Sequence, residues 1–452
     1  MITTVEILTS YTPPRKFCLM GNEAVARGAI EAGVRGVFAY PGTPSTEISE
    51  TIRQASEFQH HPERRKEFSD LTADPIYFEF SVNEKIAVEK AIAFTLGNRS
   101  AMCCMKAAGL NVASDPLMTI PYQTIGQPLV VVVCDDPGCF SSTTEQDSRY
   151  WGKMASIPVF NPTTPQDAFD MVKQAFELSG RLKIPVLLRM TTRVSHSRGV
   201  VQIGEVAPKT QTPGFTKSPQ HLNIPSRTAG AHRALLAKLS GSEIKESLRR
   251  NTIQSVSARG DARPELGVIT CGVADSYAIE IIARNRLAER LDVLKIGVTH
   301  PFPEEEVFRF LENGYQRVLV LEELDPIVED EIRILSDKHK LKVEILGKGF
   351  AGLTTVGEYG LDIVSRALSA FTGADFPRPT PLPVEARDRF LKAVPPRPPA
   401  MCPGCSHRAT FYALKLATHP APANLVLCGD IGCFAMGAFA PFEMIDTIHH
   451  GD

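Results

Sequence analysis

Glu84 follows closely on the apolar run IYFEF (76–80) and stands two residues ahead of the point where the register of the helix NEKIAVEKAIAFTLG settles. A carboxylate there lies at the C-terminal edge of a parallel sheet, where open α/β folds bind their ligands. Its other reading is an acid favoured at a helix N-terminus by the macrodipole. The loop YPGTPST (40–46) sets Pro41 and Pro44 around Thr43. Two prolines stiffen that backbone and fix the Thr43 hydroxyl at the mouth of the same sheet. Read only as a turn, the loop supplies Ser45 or Thr46 as cap for the helix EISETIRQA. A third constellation is Cys402 and Cys405, a C-x-x-C pair, with Cys428 and Cys433 further on. Such spacing suits zinc or an iron–sulfur cluster. His407 favours zinc, but no second C-x-x-C or H-x-H pair accompanies it, and cysteines that only shape a loop are the other reading.

These side chains need elements to place them. From about residue 15 to 205, short apolar runs alternate with amphipathic stretches: VFAY (37–40), IYFEF (76–80), SAMCCM (100–105), PLVVVV (128–133) and PVLLRMTT (185–192). Strand–helix alternation of this kind predicts a parallel sheet covered on both faces. Asn22 reads as the cap of the helix EAVARGAIEAG and Gly33 as its stop. Residues 200–260 lack sustained periodicity and read as a linker with one helix around AHRALLAKL. A second α/β unit follows in LGVITCG (266–272), VLKIGVTHPFP (293–303), RVLVLEEL (317–324) and VEILGKGF (343–350). A proline-rich break at 373–400 comes next, and MCPGCSHRATFYALKLA with NLVLCGDIGCFAMG reads as the start of a third α/β unit.

Composition narrows the classes. The 452 residues suffice for about three domains. Hydrophobic residues at 43% and charged residues at 22% are ordinary for a globular protein. A net charge of -2 gives no electrostatic case for nucleic acid or an anionic membrane as partner. No apolar run approaches the roughly 20 residues that span a bilayer, and the N-terminus lacks the layout of a signal peptide, so a cytoplasmic protein is expected. There the ten cysteines are thiols, ligands or redox groups rather than disulfides. Cys103, Cys104, Cys134 and Cys271 lie in strand-like runs, as small buried hydrophobes do.

Taken together, the motifs carry a resemblance. YPGTPST (40–46) is similar to the loop that opens the pyrimidine-binding domain of thiamine-diphosphate-dependent 2-oxoacid:ferredoxin oxidoreductases. MKAAGLNVASDPLMT (105–119), DDPGCFSSTTEQDSR (135–149), PVLLRMTTRVSHSRG (185–199), CPGCSHR (402–408) and GDIGCFAMG (429–437) resemble more specifically the large subunit of the indolepyruvate-oxidising branch, in the same order along most of the chain. The resemblance implies that Glu84 is the glutamate that activates thiamine and Thr43 a contact of substrate and cofactor, with Tyr40, Pro41 and Gly42 lining the cofactor. It also implies that Cys402, Cys405 and Cys433 bind a cluster. Lys106 ends a strand at the same edge, where it holds the substrate carboxylate or is simply a surface lysine. The family usually places a histidine after it, whereas Ala107 stands here. Arg193 and His196 orient loops.

The domains implied are a pyrimidine-binding domain at 1–205, a linker at 206–260, a transketolase-C-terminal-like domain at 261–372, a proline-rich linker at 373–400 and an incomplete diphosphate-binding domain at 401–452. Asp430 in CGDIG does not complete the G-D-G motif that holds the divalent metal in thiamine enzymes, because no asparagine follows it. The Mg2+ ligands are therefore expected beyond residue 452, the chain is expected to be a C-terminally truncated fragment, and alone it is expected to be inactive. The intact enzyme is expected to decarboxylate an aryl 2-oxoacid oxidatively to its acyl-coenzyme A, with iron–sulfur clusters, a smaller beta subunit and ferredoxin, as an oligomer. Two other readings stay open: a non-redox thiamine decarboxylase or carboligase, and a non-catalytic binding module.

Overall fold

The structure is a computed structural model that describes residues 15–60, 76–206, 214–255, 265–376, 383–395, 400–419 and 425–449. The chain divides into two compact units, Met1–Phe376 and Pro377–Asp452. In chain order the strands of the first unit are β1 (Arg15–Met20), β2 (Gly36–Ala39), β3 (Tyr77–Phe80), β4 (Ala101–Lys106), β5 (Leu129–Asp135), β6 (Val159–Phe160), β7 (Val186–Thr191), β8 (Arg198–Ile203), β9 (Thr252–Ser255), β10 (Leu266–Cys271), β11 (Leu291–Ile296), β12 (Val298–His300), β13 (Arg317–Leu321) and β14 (Glu344–Leu346).

Seven strands form one sheet in the order β12-β6-β7-β5-β4-β2-β3, parallel throughout except that β12 runs antiparallel to β6. Its centre is buried on both faces, as the unbroken run LVVVVCD of β5 requires. Val130, Val132 and Cys134 join one core with helices Gly21–Glu31 and Pro165–Leu182. Val131 and Val133 face the other, with helix Glu84–Leu96 and Leu110 and Leu117 beyond it. The period of two in a strand thus feeds two helical layers. Parallel strands all end at one edge of the sheet, so the loops that follow β2, β3, β4, β5 and β7 are gathered there.

The second sheet has the order β14-β13-β10-β11-β9, with helices Val273–Arg284 and Leu361–Thr372 over one face and Glu304–Leu311 and Ile327–His339 over the other. The run VLKIGVTHPFP, read as part of the second α/β unit, is divided at Gly297. Its second part, β12, adds itself to the edge of the first sheet. There is no room for a side chain at the crossing, since a Cβ on Gly297 would sit 2.6 Å from Met171 Cε and 2.9 Å from the Asn251 carbonyl. The stretch read as a linker contains helices Pro225–Ser240 and Ser242–Asn251 as well as β9, which pairs antiparallel with β11; residues 207–213 and 256–264 lie outside the described residues.

Gly33 ends its helix as expected: its φ is 78° and its N–H bonds the Ile30 carbonyl at 3.0 Å. Asn22 is not the cap at the other end. The helix begins at Gly21, with Met20 at the cap position and the Met20 N–H bonded to Glu23 Oε2 at 2.7 Å. Asn22 is instead fully buried and its amide is used elsewhere.

The second unit contains helices Val384–Ala393 and Ser406–Ala417 and a two-stranded parallel ribbon of β15 (Cys428–Gly429) and β16 (Thr447–Ile448). No residue of Val384–Ala393 is buried, in keeping with the proline-rich composition around it. Among the described residues no helix is long and apolar enough to cross a membrane.

Candidate functional site

Glu84 is the first residue of its helix, with Asn83 as N-cap; the Asn83 side chain accepts the Ile86 N–H at 2.9 Å. Only 7% of Glu84 is exposed. Its carboxyl lies on the backbone of Gly109, in the short helix Ala107–Val112 that follows β4: a Cβ there would come within 2.1 Å of Glu84 Oε1. Gly109 is therefore the seat of the carboxyl, a role that the AAGLN sequence hides. Both sequence readings of Glu84 hold in part, because it is at a helix N-terminus and also at the sheet edge.

Lys106 ends β4 on that same edge and is half-buried. Its ammonium donates to the Ser141 carbonyl at 3.1 Å, and among the described residues it has no carboxylate partner in an ion pair. Burial lowers its pKa, while the charges of Asp136, Glu84 and Cys139 oppose that shift. The loop 40–46 rests directly on its stem, since a Cβ on Gly42 would meet Lys106 Cδ at 2.9 Å. Tyr40, Pro41 and Thr43 are exposed beside it. The loop is anchored at its back by Asn22, whose amide donates to the Pro44 carbonyl and to Glu47 Oε2, each at 2.8 Å. Glu84, Lys106, Thr43, Tyr40, Pro41 and Gly42 are thus all brought to one edge of one sheet.

His196 Nε2 lies 3.4 Å from Glu47 Oε2, and Arg193 pairs with Glu358. The first contact joins the short helix Thr192–His196 to the first turn of helix Thr46–His60, and the second joins that short helix to the loop of Glu358. Cys402, Cys405 and Cys433 are a different matter. Among the described residues no three histidine, cysteine or carboxylate side chains form a group able to hold a metal ion. Cys402 and Cys405 belong to the turn that leads into helix Ser406–Ala417, with the Cys405 N–H bonded to the Cys402 carbonyl at 3.2 Å, whereas Cys433 lies in the helical turn Gly432–Ala438. The expected ligand set is not assembled, and no chemistry through a cluster or through Mg2+ can be derived from these residues.

Sequence reasoning missed a buried network where the two sheets of the first unit meet. Arg149 pairs with Asp147 at 2.5 Å and with Glu322, and donates to the Glu323 and Asp325 carbonyls, each at 2.9 Å. Arg189 donates to Asp135 Oδ2 at 2.7 Å and to Asn161 Oδ1 at 3.1 Å. Glu322 accepts the Val328 and Glu329 N–H groups at the start of helix Ile327–His339. The only signal in the sequence was charge directly after an apolar strand, in DDPGCFSSTTEQDSR and RVLVLEELD. Charge in a loop ordinarily reads as surface.

Glu323 is the exceptional member. It is 3% exposed, Oε1 accepts the Tyr359 N–H at 2.8 Å, and Oε2 has no partner. Burial pushes its pKa up to about 7, against the Tyr359 N–H and Arg189, which favour the charged form. A carboxyl with a raised pKa stabilises the fold when protonated, so that contribution is complete below the ordinary value of 4.5 and lost as pH rises through about 7. Glu323→Gln keeps the shape and cannot ionise. It is expected to stabilise the fold by up to about 3 kcal/mol at pH 8 and not at pH 4.5, as measured by urea denaturation at both pH values. The same difference from the parent at each pH would refute the assignment.

No protein-family model matches the chain. Its sequence is 37% identical to the indolepyruvate oxidoreductase subunit IorA of Methanothermobacter thermautotrophicus over 96% of this chain and 66% of that protein. It is 35% identical to the same subunit of Pyrococcus horikoshii over 99% of this chain and 66% of that protein. The chain therefore spans about two thirds, 66%, of the length of these relatives. In three dimensions it resembles the 2-oxoglutarate:ferredoxin oxidoreductase of Magnetococcus marinus with a TM-score of 0.58 at 14% identity, over 78% of this chain and 65% of that one. At that identity the likeness is one of fold, and it agrees with the parallel-sheet α/β architecture expected from the strand–helix alternation.

Proposed function

The chain belongs to the family of indolepyruvate oxidoreductase IorA subunits, and from that premise we propose that it is the part of a 2-oxoacid:ferredoxin oxidoreductase that holds the pyrimidine of thiamine diphosphate and the carboxylate of an aryl 2-oxoacid. The observation that carries the reading is the placement of a buried carboxyl, an ammonium that has no ion-pair partner among the described residues and an exposed hydroxyl loop on one edge of the parallel sheet. The chemistry of that donor set fits the pyrimidine half of the cofactor. Bound there, thiamine diphosphate supplies the electron sink for decarboxylation.

Each residue then has a defined task. Glu84 shares a proton with a ring nitrogen of the pyrimidine, and its burial suits it to that exchange. Lys106 offers its ammonium to the carboxylate of the 2-oxoacid, which a lysine binds as a point charge. Tyr40, Pro41 and Gly42 form the wall on which Thr43 presents its hydroxyl to substrate and cofactor. In this reading residues 1–205 are the pyrimidine-binding domain, 261–372 the transketolase-C-terminal-like domain and 401–452 part of a diphosphate-binding domain. The complete enzyme passes electrons to ferredoxin, forms the acyl-coenzyme A, and contains a smaller beta subunit within an oligomer.

The test is reduction of a ferredoxin-type dye by indolepyruvate and coenzyme A, measured on the complete enzyme that contains this sequence, with its smaller subunit, thiamine diphosphate and Mg2+. Reduction is expected, and Lys106→Ala is expected to raise KM for the 2-oxoacid about tenfold or more. Aldehyde formed without dye reduction would replace this reading by a non-redox decarboxylase. No product of either kind would replace it by a non-catalytic binding module.

A further inference from the structure

Three elements of the sheet edge meet at Ser141. Its carbonyl accepts the Lys106 ammonium at 3.1 Å, its Oγ lies 3.0 Å from the Thr43 carbonyl, and its N–H donates to Asp136 Oδ2 at 2.8 Å. Asp136 follows β5 and is 4% exposed. Its other oxygen, Oδ1, accepts the Thr192 hydroxyl at 2.7 Å. One carboxylate therefore joins the loops after β5 and β7, and through Ser141 the loop after β2 and the end of β4.

Asp136 is close enough to Lys106 for its charge to be felt, yet the two form no ion pair, and both carboxylate oxygens accept hydrogen bonds from other donors. A carboxylate in direct contact would compete with any anionic ligand for the ammonium. One held back by other donors supports the positive charge and leaves the N–H groups free for the ligand. Burial opposes ionisation of Asp136, but the hydrogen bonds from Thr192, Ser141 and Ser142 outweigh it and keep its pKa below the usual range. A free lysine side chain loses rotamer entropy when it is fixed. The Ser141 carbonyl and the packed Gly42 backbone impose much of that order before a ligand arrives.

We propose that Asp136 and Ser141 are positioning residues, a clasp that holds Lys106 charged, oriented and unpaired and that docks the Thr43 loop beside it. The proposal rests on the reading of Lys106 as the group that holds the 2-oxoacid carboxylate. It assigns Asp136 and Ser141 no contact with the reacting atoms.

Competitive acetylation of Lys106 in the full chain, followed by mass spectrometry across a pH series with and without phenylpyruvate, tests it. In Asp136→Asn the titration midpoint of Lys106 is expected to fall by about half a unit or more, since an attractive charge is lost. The protection that phenylpyruvate gives the parent is expected to drop at least about threefold. Ser141 is exposed, so Ser141→Ala keeps the test open if Asp136→Asn does not fold; it keeps the carbonyl that Lys106 uses and loses the Oγ bond to the Thr43 carbonyl, so the Lys106 midpoint is expected to stay parental while the protection by phenylpyruvate drops at least about threefold. A merely structural clasp would lower the melting temperature and leave the Lys106 midpoint unmoved. A parental midpoint in Asp136→Asn, or parental protection by phenylpyruvate in Ser141→Ala, would overturn the proposal. If phenylpyruvate fails to protect the parent, the substrate reading of Lys106 falls, while the Lys106 midpoint of Asp136→Asn without ligand still decides whether the clasp positions it.

Discussion

Glu84→Gln is expected to lower kcat of the assembled enzyme by about 10²- to 10⁴-fold, with KM for the 2-oxoacid changed no more than about threefold. Glutamine is isosteric, so the side chain keeps its seat on Gly109, and the fold is expected to melt at the parental temperature. What is lost is the ability of the group to share a proton with the pyrimidine. An effect on kcat alone separates this role from that of Lys106, whose loss acts on KM. Turnover of Glu84→Gln within about threefold of the parent would remove Glu84 from the mechanism. Gly109→Ala gives an independent check, because the added Cβ would occupy the place of the carboxyl at 2.1 Å. It is expected to reproduce the loss of turnover while Glu84 itself is retained.

The second large effect is on stability. Arg149→Met is expected to cost about 3–5 kcal/mol, read by urea denaturation at pH 7. The Arg149 and Asp147 side chains and that of Glu322 are each 1% exposed, so removal of the guanidinium leaves Glu322 buried without its ion pair and Asp147 with only the longer pair to Arg189 at 3.9 Å. Asp147 is especially dependent on it. Burial alone would raise its pKa, yet the charge and hydrogen bonds of Arg149 hold it below the ordinary range. The same guanidinium donates to the Glu323 and Asp325 carbonyls, so the packing of one sheet on the other is loosened as well. Adding Glu322→Gln to Arg149→Met is expected to recover part of the loss, because one stranded charge is then neutral. A cost below about 1 kcal/mol for Arg149→Met would mean that the network contributes little to holding the two sheets together.

What the sequence made legible follows from periodicity. Apolar runs such as PLVVVV are too regular to be loops, and the polar residues that end them fall at the strand C-termini by necessity. That is why Thr43, Glu84 and Lys106 were traceable to a common edge before any coordinates. Side-chain partners across the chain were not traceable. Asn22 has the composition of a cap, but its use is decided by the Pro44 carbonyl and Glu47, which sequence cannot bring near. Gly109 looks like an ordinary small residue until the Glu84 carboxyl is seen lying on it. The division of VLKIGVTHPFP at Gly297 is hidden for another reason: both parts are buried strands, so hydropathy is continuous although the chain passes from one sheet to the other. Asp147, Arg149, Glu322 and Glu323 read as surface charges because burial of a charge depends entirely on its partner.

Saturation-transfer NMR of thiamine with the full chain, beside Glu84→Gln, is the most direct test of the site. Thiamine lacks the diphosphate, so the signal reports the pyrimidine pocket independently of any metal. Strong saturation of the pyrimidine methyl and ring protons is expected with the parent, and about a tenfold or greater weakening with Glu84→Gln, the magnitude of one charge-assisted hydrogen bond. Equal saturation with both proteins, or none with the parent, would contradict the assignment of Glu84 as the group that receives the pyrimidine.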